Sequence, residues 1–410
     1  MEKLVTPHDA LKKIHEKVVQ TTFEYIDVLN ALGRVAAENP LSVRNLPSRD
    51  NSAMDGYAVK FEDIIEVPAK LKIKGVIQAG DDVDNIHLQR GESFKIMTGA
   101  FIPKGADTVV EYEITSSDEN FVTINEKKKF GANIRKKGED IKFGDKISIE
   151  GELITSEIQS RLISAGLTFL KVYRRPRVAV IGTGNELILP EGSGNPFSTI
   201  DSNSFYVMSL LKTLKADVSY LGISKDDTES FVKTMEQTDK FDVVITSAGI
   251  STGDFDVVSK SSKKLGIDWI FNGVKQKPGK PFSFGIMKNG SMLFGLPGNP
   301  VSSAFCAYYY VLPALKNMSG YKRTENPMVK AYLTKEFYKK NNRFHFNRGT
   351  LRYDADENRF CVTPYGNQES HLINSLQDSN CYIIVDEDMI GKIEKDTLVN
   401  CLIYDFNTVF

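Results

Sequence analysis

The 410-residue sequence predicts a multidomain α/β plus β protein. The expected parts are a three-layer α/β sheet domain, a β-rich inserted domain, a helical linker domain and a C-terminal β-barrel-like domain. Three observations carry this expectation. At about 150 residues per domain, the length allows two to four domains, each able to bury a core. The texture changes near residue 41, at Arg174-Arg175-Pro176 and after Ser319-Gly320, with proline and glycine as punctuation. Between the last two changes, apolar β-branched runs alternate with helical stretches, which is how parallel strands buried on both faces read.

In chain order, roughly the first 45 residues read as helix, since Leu4, Ala10, Leu11, Ile14 and Val18 fall near one face and Thr6-Pro7 supplies a start. From residue 41 to about 145, short runs such as LKIKGVI and DTVVEYEI alternate with turn residues and predict strands. A second helical stretch, 156–167, is expected to pack back on the first, making the β-rich segment an insertion. The α/β part follows: RVAVIG, a helix over 204–214, DVSYLGI, a helix near 228–236, FDVVITS, IDWIF, SMLFGLPG and a helix from Val301. Beyond residue 320 the runs KAYLTKEF, RGTLRYD, RFCVTPY, CYIIVDE and LVNCLIYDF predict a small barrel or sandwich. The expected boundaries are 1–45 with 141–174 for the linker domain I, 46–140 for the β-rich domain II, 175–325 for the α/β domain III and 326–410 for the barrel-like domain IV.

Composition removes several function classes. Lysine plus arginine total 52 against 53 acidic residues, a net charge of −1, which argues against a dedicated nucleic-acid binder. The longest apolar stretch, 305–315, is too short to span a bilayer and contains Pro313. The N-terminus lacks the apolar core of a signal peptide, so a soluble, cytoplasmic protein without a membrane partner is expected. Cys306, Cys361, Cys381 and Cys401 form no CxxC pair and read as reduced structural thiols. The stretch 88–344 holds no histidine. A site built there works without a Ser-His-Asp triad or a His-ligated metal.

Ligands of open α/β sheets sit beyond the carboxyl ends of the strands. After RVAVIG comes Thr183-Gly184-Asn185-Glu186, which is not a dinucleotide fingerprint because Leu187 stands at the third glycine position. DVSYLGI leads into Ser224-Lys225-Asp226-Asp227, and FDVVITS into Ala248, Gly249, Ser251 and Asp256. SMLFG is followed by Pro297-Gly298-Asn299-Pro300, with Asn299 placed to cap a helix and Pro300 suited to its first turn. Glycine- and hydroxyl-rich loops of this kind offer N–H groups to phosphate. Glu186, Asp226 and Asp256 are the hard oxygen donors that Mg²⁺ takes. Lys277 and Lys280, in KPGKP, are point charges for an oxyanion. Local readings compete with each: a tight turn at Gly184, helix capping by Asp226 and Asp227, a solvated loop acid at Asp256 and a rigid helix entry at 297–300. Four strand-end loops of compatible chemistry in one domain favour a phosphorylated ligand held with a metal ion. In the β-rich segment, Asp55-Gly56 reads as a hairpin turn. The basic run 127–137 reads as a solvated face in which Arg135, near Asp140, could meet a phosphate from outside.

Together the motifs resemble the MoeA family, the molybdopterin molybdenumtransferases that include the E domain of gephyrin, over essentially the whole chain. The carriers are SAMDGYAV (52–59), KIMTGA (95–100), NIRKKGEDI (133–141), GTGNEL (182–187), IDSNS (200–204), SAGISTGDFD (247–256), KPGKPFSFG (277–285) and GLPGNPVS (295–302). The resemblance implies an elongated four-domain subunit, with molybdopterin bound by domain III. It also implies a homodimer, and insertion of molybdenum from molybdate into adenylylated molybdopterin with AMP release and Mg²⁺ involvement. By the same resemblance, Asp55, Glu186, Asp226 and Asp256 are catalytic, the last three also holding the metal. Thr98, Arg135, Asp140, Lys277, Pro297, Pro300, Arg348 and Ser370 contact the pterin or oxyanion by that resemblance, and Gly249, Ser251, Lys280, Gly298 and Asn299 join them on the chemistry of their loops. Asp55, Thr98, Arg135 and Asp140 are expected to reach the α/β site across the dimer interface, and Arg348 and Ser370 to face the cleft. The chain departs from the family pattern at Asn185, at Ala248 and at Gly273, where a lysine is usual; Lys275 is the expected substitute. The molybdopterin adenylyltransferase and downstream molybdoenzyme maturation proteins are the implied partners. Adenylyltransferase activity, or a non-catalytic molybdopterin-binding scaffold, are the alternative functions.

Overall fold

A computed structural model describes residues 4–192, 196–248, 257–405 and 408–409, with the backbone but not the side chains of 257–260. Its centre is a six-stranded sheet built from β1 (Arg177–Thr183), β2 (Asp217–Ser224), β3 (Val243–Ser247), β4 (Asp268–Asn272), β5 (Ser283–Ile286) and β6 (Met292–Leu296), in the order β2-β1-β3-β6-β5-β4. The first four of that order run parallel. β5 is antiparallel to both β6 and β4. The apolar-run reading, which makes every strand parallel, is therefore corrected on this side, and β5 is an additional strand concealed in KPGKPFSFG. The cause is the short 287–291 connection, closed by a Met287 N to Ser291 O hydrogen bond of 2.9 Å. A parallel neighbour requires a crossover of a dozen or more residues.

Alternation along β1 divides the core into the two faces of a three-layer arrangement. Val178 and Val180 pack with Val207 and Leu211 of the Ser202–Lys212 helix and with the aromatic helix that starts at Pro300. Ala179 and Ile181 face Phe231 and Met235 of the Thr228–Met235 helix. The helix from Pro300 continues through a π-turn at Ala307–Val311 to Met318.

The N-terminal helix is shorter than its periodicity predicts, covering only Pro7–Lys17, with Thr6 accepting from the Asp9 amide at its start. Its Ala10 and Ile14 enter the core of the α/β sheet, not that of the Ser156–Ser164 helix. The latter packs on the 28–30 turn, where Gln159 donates to the Val28 and Leu29 carbonyls. The intervening FEYID is a strand that pairs antiparallel with Phe169–Tyr173. From this ladder the chain passes through the bridges Val35↔Leu153, Leu41↔Lys146 and Leu46↔Ile141 into a second six-stranded sheet. That sheet has the order Thr108–Glu111, Gly56–Val59, Glu92–Ile96, Ala69–Ile77, Phe121–Ile124 and Thr115–Ser117.

At the C-terminal end, Phe344–Asp354, Arg359–Pro364, Met328–Leu333, Leu398–Ile403 and Cys381–Val385 pair in sequence, and the last returns to the first to close a barrel. All four cysteines are free and buried. A two-residue strand, Gln276–Lys277, leaves the α/β part and adds parallel to Phe344. Phe346 and Tyr382 of the barrel pack around Phe305, tilted and edge-on, at 4.4 and 5.1 Å between ring centroids, so barrel and α/β sheet share one core.

Candidate active site

The strand-end loops of the parallel sheet are tied to one another by side-chain amides. After β1, the Asn185 backbone N–H donates to Asp226 Oδ2 and the Asp226 backbone N–H donates to Asn185 Oδ1, both at 3.2 Å. This separates the two acids after β2. Asp227 caps the Thr228–Met235 helix through Ser230 N at 2.8 Å, which leaves Asp226 as the acid facing the β1 loop. The exposed Glu186 carboxylate folds back so that both oxygens lie 2.8 Å from where a Cβ on Gly184 would stand. Asn203 Nδ2 donates to Gly298 O at 2.7 Å, joining the start of the Ser202–Lys212 helix to the 297–300 turn.

Pro297 is buried at the end of β6, Gly298 and Asn299 are exposed, and Pro300 occupies the first helical turn as its fixed φ suits. Asn299 differs from expectation: its side chain makes no capping bond and donates instead to Ser370 Oγ at 2.9 Å, while Val301 N donates to Ser370 O. The barrel loop thus closes on the helix entry. Arg348, expected to face the cleft, is 1 % exposed and spends its guanidinium on the Asn367 and Glu369 carbonyls at 3.0 and 3.2 Å. It shapes the loop that presents Ser370.

Lys277 is half-buried, 3.9 Å from Glu369, and Lys280 is exposed with no acidic partner among the described residues. Lys275 is not the free substitute expected of it, because Glu387 of the barrel holds it at 2.6 Å. Gly273 has φ +94°, and a Cβ there would stand 2.7 Å from Leu4, so this backbone disfavours a side chain at 273. Ala248 sits at φ +75°, a conformation costing an L-residue roughly 1–2 kcal/mol. Gly249, Ser251 and Asp256 lie outside the described residues. Among the described residues no group of three or more His, Cys, Asp or Glu is placed to hold a metal ion.

Beside Lys277 in the ladder stands His345. It is 7 % exposed and 3.0 Å from Asn341 Oδ1. Burial, then the charges of Lys339, Lys277 and Arg343, push its pKa down from 6.5 to about 4. The unfolded chain binds the extra proton throughout that interval, so stability falls as pH drops from about 6.5 towards 4, by up to about 3 kcal/mol. The expected result is that His345→Gln flattens the melting temperature against pH between pH 4.5 and 6.5; an unchanged slope in the variant counts against it.

A second cluster lies in the β-rich sheet. Asp55 Oδ1 accepts from Thr98 N at 2.7 Å and Thr98 Oγ1 at 2.8 Å, and these bonds hold its carboxyl below the usual range. The turn bearing Thr98 docks on the Asp55 turn through Gly99 N to Ser52 O and Ser52 N to Ala100 O. Arg135 is exposed and pairs in register with Asn51, next to the same turn. Its neighbour Lys136 is engaged by Asp50 at 2.9 Å. Asp140 is exposed, its N–H donating to Leu46 O. The Asp55-Gly56 hairpin expectation is corrected: Gly56 is already a strand residue, paired with Ile96 on one side and Glu111 on the other. Among the described residues no hydrogen bond or ion pair joins this cluster to the α/β shelf.

Asp201 holds a place at the site beyond the residues expected from the sequence. It is 2 % exposed, caps the Ser202–Lys212 helix through Ser204 N, accepts from Tyr220 OH at 3.0 Å and lies where a Cβ on Gly182 would fall, 2.3 Å away. Asp before a serine-rich helix start is the available signal. Concavities of about 490 and 400 Å³ elsewhere, both lined by Arg174 and Arg177 at the amino ends of the strands, contain none of these residues.

Residues 5–166 match the family model described as MoeA N-terminal region (domain I and II), 179–317 the one described as Probable molybdopterin binding domain, and 330–400 MoeA C-terminal region (domain IV). A protein of Haemophilus influenzae named molybdopterin molybdenumtransferase is 35 % identical over 392 residues, 94 % of this chain and 95 % of its own length. The Bacillus subtilis protein of the same name is 31 % identical over 386 residues, 92 % of this chain and 89 % of its own. The structure of a molybdopterin biosynthesis MoeA protein from Pyrococcus horikoshii superposes with a TM-score of 0.82 at 26 % identity, covering 98 % of this chain and 100 % of that one.

Proposed function

The chain belongs to the MoeA family of molybdopterin molybdenumtransferases, and from that premise we propose that it inserts molybdenum from molybdate into adenylylated molybdopterin and releases AMP. The observation that carries this reading is the cross-tying of the strand-end loops, Asn185 to Asp226, Asn203 to Gly298 and Asn299 to Ser370. With Lys277 3.9 Å from Glu369, the neighbour of Ser370, it brings carboxylates and a lysine to one shelf at the carboxyl end of the sheet.

Molybdate and a phosphoanhydride repel one another, and point charges in a partly dry setting offset that repulsion. Lys277 and Lys280 supply them. Glu186 and Asp226 fit a hard divalent cation such as Mg²⁺: both donors are carboxylate oxygens, and Mg²⁺ is usually held by one or two carboxylates plus substrate phosphates. When bound, such an ion adds positive charge beside the anhydride. Asp256 belongs to the same proposed set. Asp226, with Oδ2 held by Asn185 N, keeps Oδ1 to orient or deprotonate a water aimed at the anhydride phosphorus.

Asp55, Thr98, Arg135 and Asp140 complete the site from the partner subunit of a cytoplasmic homodimer in this reading, since among the described residues no hydrogen bond or ion pair connects the two clusters. An adenylyltransferase supplies the substrate and molybdoenzyme maturation proteins take the product. The test combines purified protein, adenylylated molybdopterin, Mg²⁺ and molybdate, and scores AMP release and reconstitution of an apo molybdoenzyme. Molybdate-dependent AMP release is expected; release indifferent to molybdate sinks the proposal. ATP consumption with molybdopterin alone would instead indicate adenylyl transfer.

A further inference from the structure

The loop carrying the two site lysines rests on a buried polar network that the proposed chemistry does not use. Between β4 and β5 the chain folds on itself, with Gly273 N to Phe282 O at 3.0 Å, Val274 N to Lys280 O at 2.8 Å and Phe282 N to Gly279 O at 3.1 Å. Gln276 is fully buried inside this loop. Its Nε2 donates to Gly279 O at 3.2 Å and to Cys306 Sγ at 3.7 Å, and its Oε1 accepts from the hydroxyl of Tyr310. Tyr310 is 0 % exposed, belongs to the π-turn of the long helix and stacks on Phe282 at 4.5 Å and 14°.

Side chains alternate along an extended segment, so the strand that sends Gln276 down into this network turns Lys277 outward. Gly279 presses directly on the network: a Cβ there would lie 2.6 Å from Cys306 Sγ and 2.8 Å from Gln276 Nε2. The backbone that carries Lys277 and Lys280 therefore rests on a glutamine amide gripped from below by a phenol.

We infer that Gln276 and Tyr310 are positioning residues for the anion-binding lysines. The inference rests on the transferase reading for its substrate, but the geometry needs only that Lys277 and Lys280 hold an oxyanion together. Releasing the amide leaves the Gly279 carbonyl held chiefly by Phe282 N and loosens the turn between the two cations, which weakens capture of molybdate without touching the bond-making groups. Loss of this kind appears in KM rather than kcat.

The experiment compares full-length Tyr310→Phe, Gln276→Leu and the double variant. Each single change orphans a buried polar partner, whereas the double change removes both partners together. Both singles are expected to lower the melting temperature and to raise the molybdate KM roughly tenfold, with kcat within about twofold. In the double variant the melting temperature recovers and the raised KM persists. A KM that returns with the melting temperature, or never moves, overturns the inference. Independently of turnover, molybdate protection of Lys277 and Lys280 from acetylation by acetic anhydride is followed by mass spectrometry. The half-protecting concentration should rise about tenfold in all three variants, and equal protection across parent and variants also overturns it. A parent protein that shows protection but releases no AMP removes the transferase reading and leaves the positioning role standing.

Discussion

Asp55→Asn lowers molybdate-dependent AMP release at least about a hundredfold while the melting temperature stays within roughly 2 °C of the parent's. One carboxylate oxygen, Oδ1, takes both bonds from Thr98, to its N–H and its hydroxyl. Asparagine keeps a carbonyl oxygen in that place, so the local turn survives. What changes is the other oxygen, which makes no hydrogen bond among the described residues and loses its charge to a neutral donor. Because Thr98 holds the carboxyl below its ordinary range, the parent residue is an anion at neutral pH and the substitution removes that anion.

The same variant tests where the site is assembled. If Asp55 of one subunit completes the shelf bearing Asp226 of its partner, mixing Asp55→Asn with Asp226→Asn subunits gives heterodimers with one intact site and one doubly defective site. Random exchange then restores about a quarter of parental activity. AMP release from re-equilibrated mixtures measures this directly, and mixtures as inactive as their components would place both acids in one subunit's site.

Gly56→Ala is the second large effect, and it acts on stability. Gly56 is buried and paired on both sides, and an added Cβ would lie 2.0 Å from the Val110 carbonyl oxygen and 2.8 Å from the Val110 carbonyl carbon. Those atoms belong to the neighbouring strand's backbone, so no rotamer relieves the clash and the strands must part. The expected cost is about 3 kcal/mol or more, a drop on the order of 10–20 °C in the transition of the β-rich sheet followed by calorimetry. The glycine of SAMDGYA is therefore required by close packing between strands, not by a turn. A variant melting like the parent refutes this account.

Much of this was legible in the residues alone. β-branched runs mark β1, β2 and β3 and an apolar run marks β6, Thr6 and Pro300 start their helices as capping chemistry prescribes, and the absence of histidine from 88–344 confines the chemistry to carboxylates, lysines and loop amides. These are local properties, settled by backbone preferences and by the period with which apolar side chains recur. Other features depended on distant groups. The direction of β5 came from a short reversal at 287–291, and the N-terminal helix stopped at Lys17 because FEYID found a strand partner at 169–173. Asp226 and Asp227 divide their roles because Asn185 reaches only the first. Asn299 turns from its own helix to Ser370, Lys275 is taken by Glu387, and Arg348 is buried under main-chain carbonyls. Sequence by itself determined the elements and the kinds of chemistry at their ends. Tertiary structure decided which polar group meets which, because a hydrogen bond or ion pair reaches only about 3–4 Å, and which groups come that close is set by how the sheets and barrel pack.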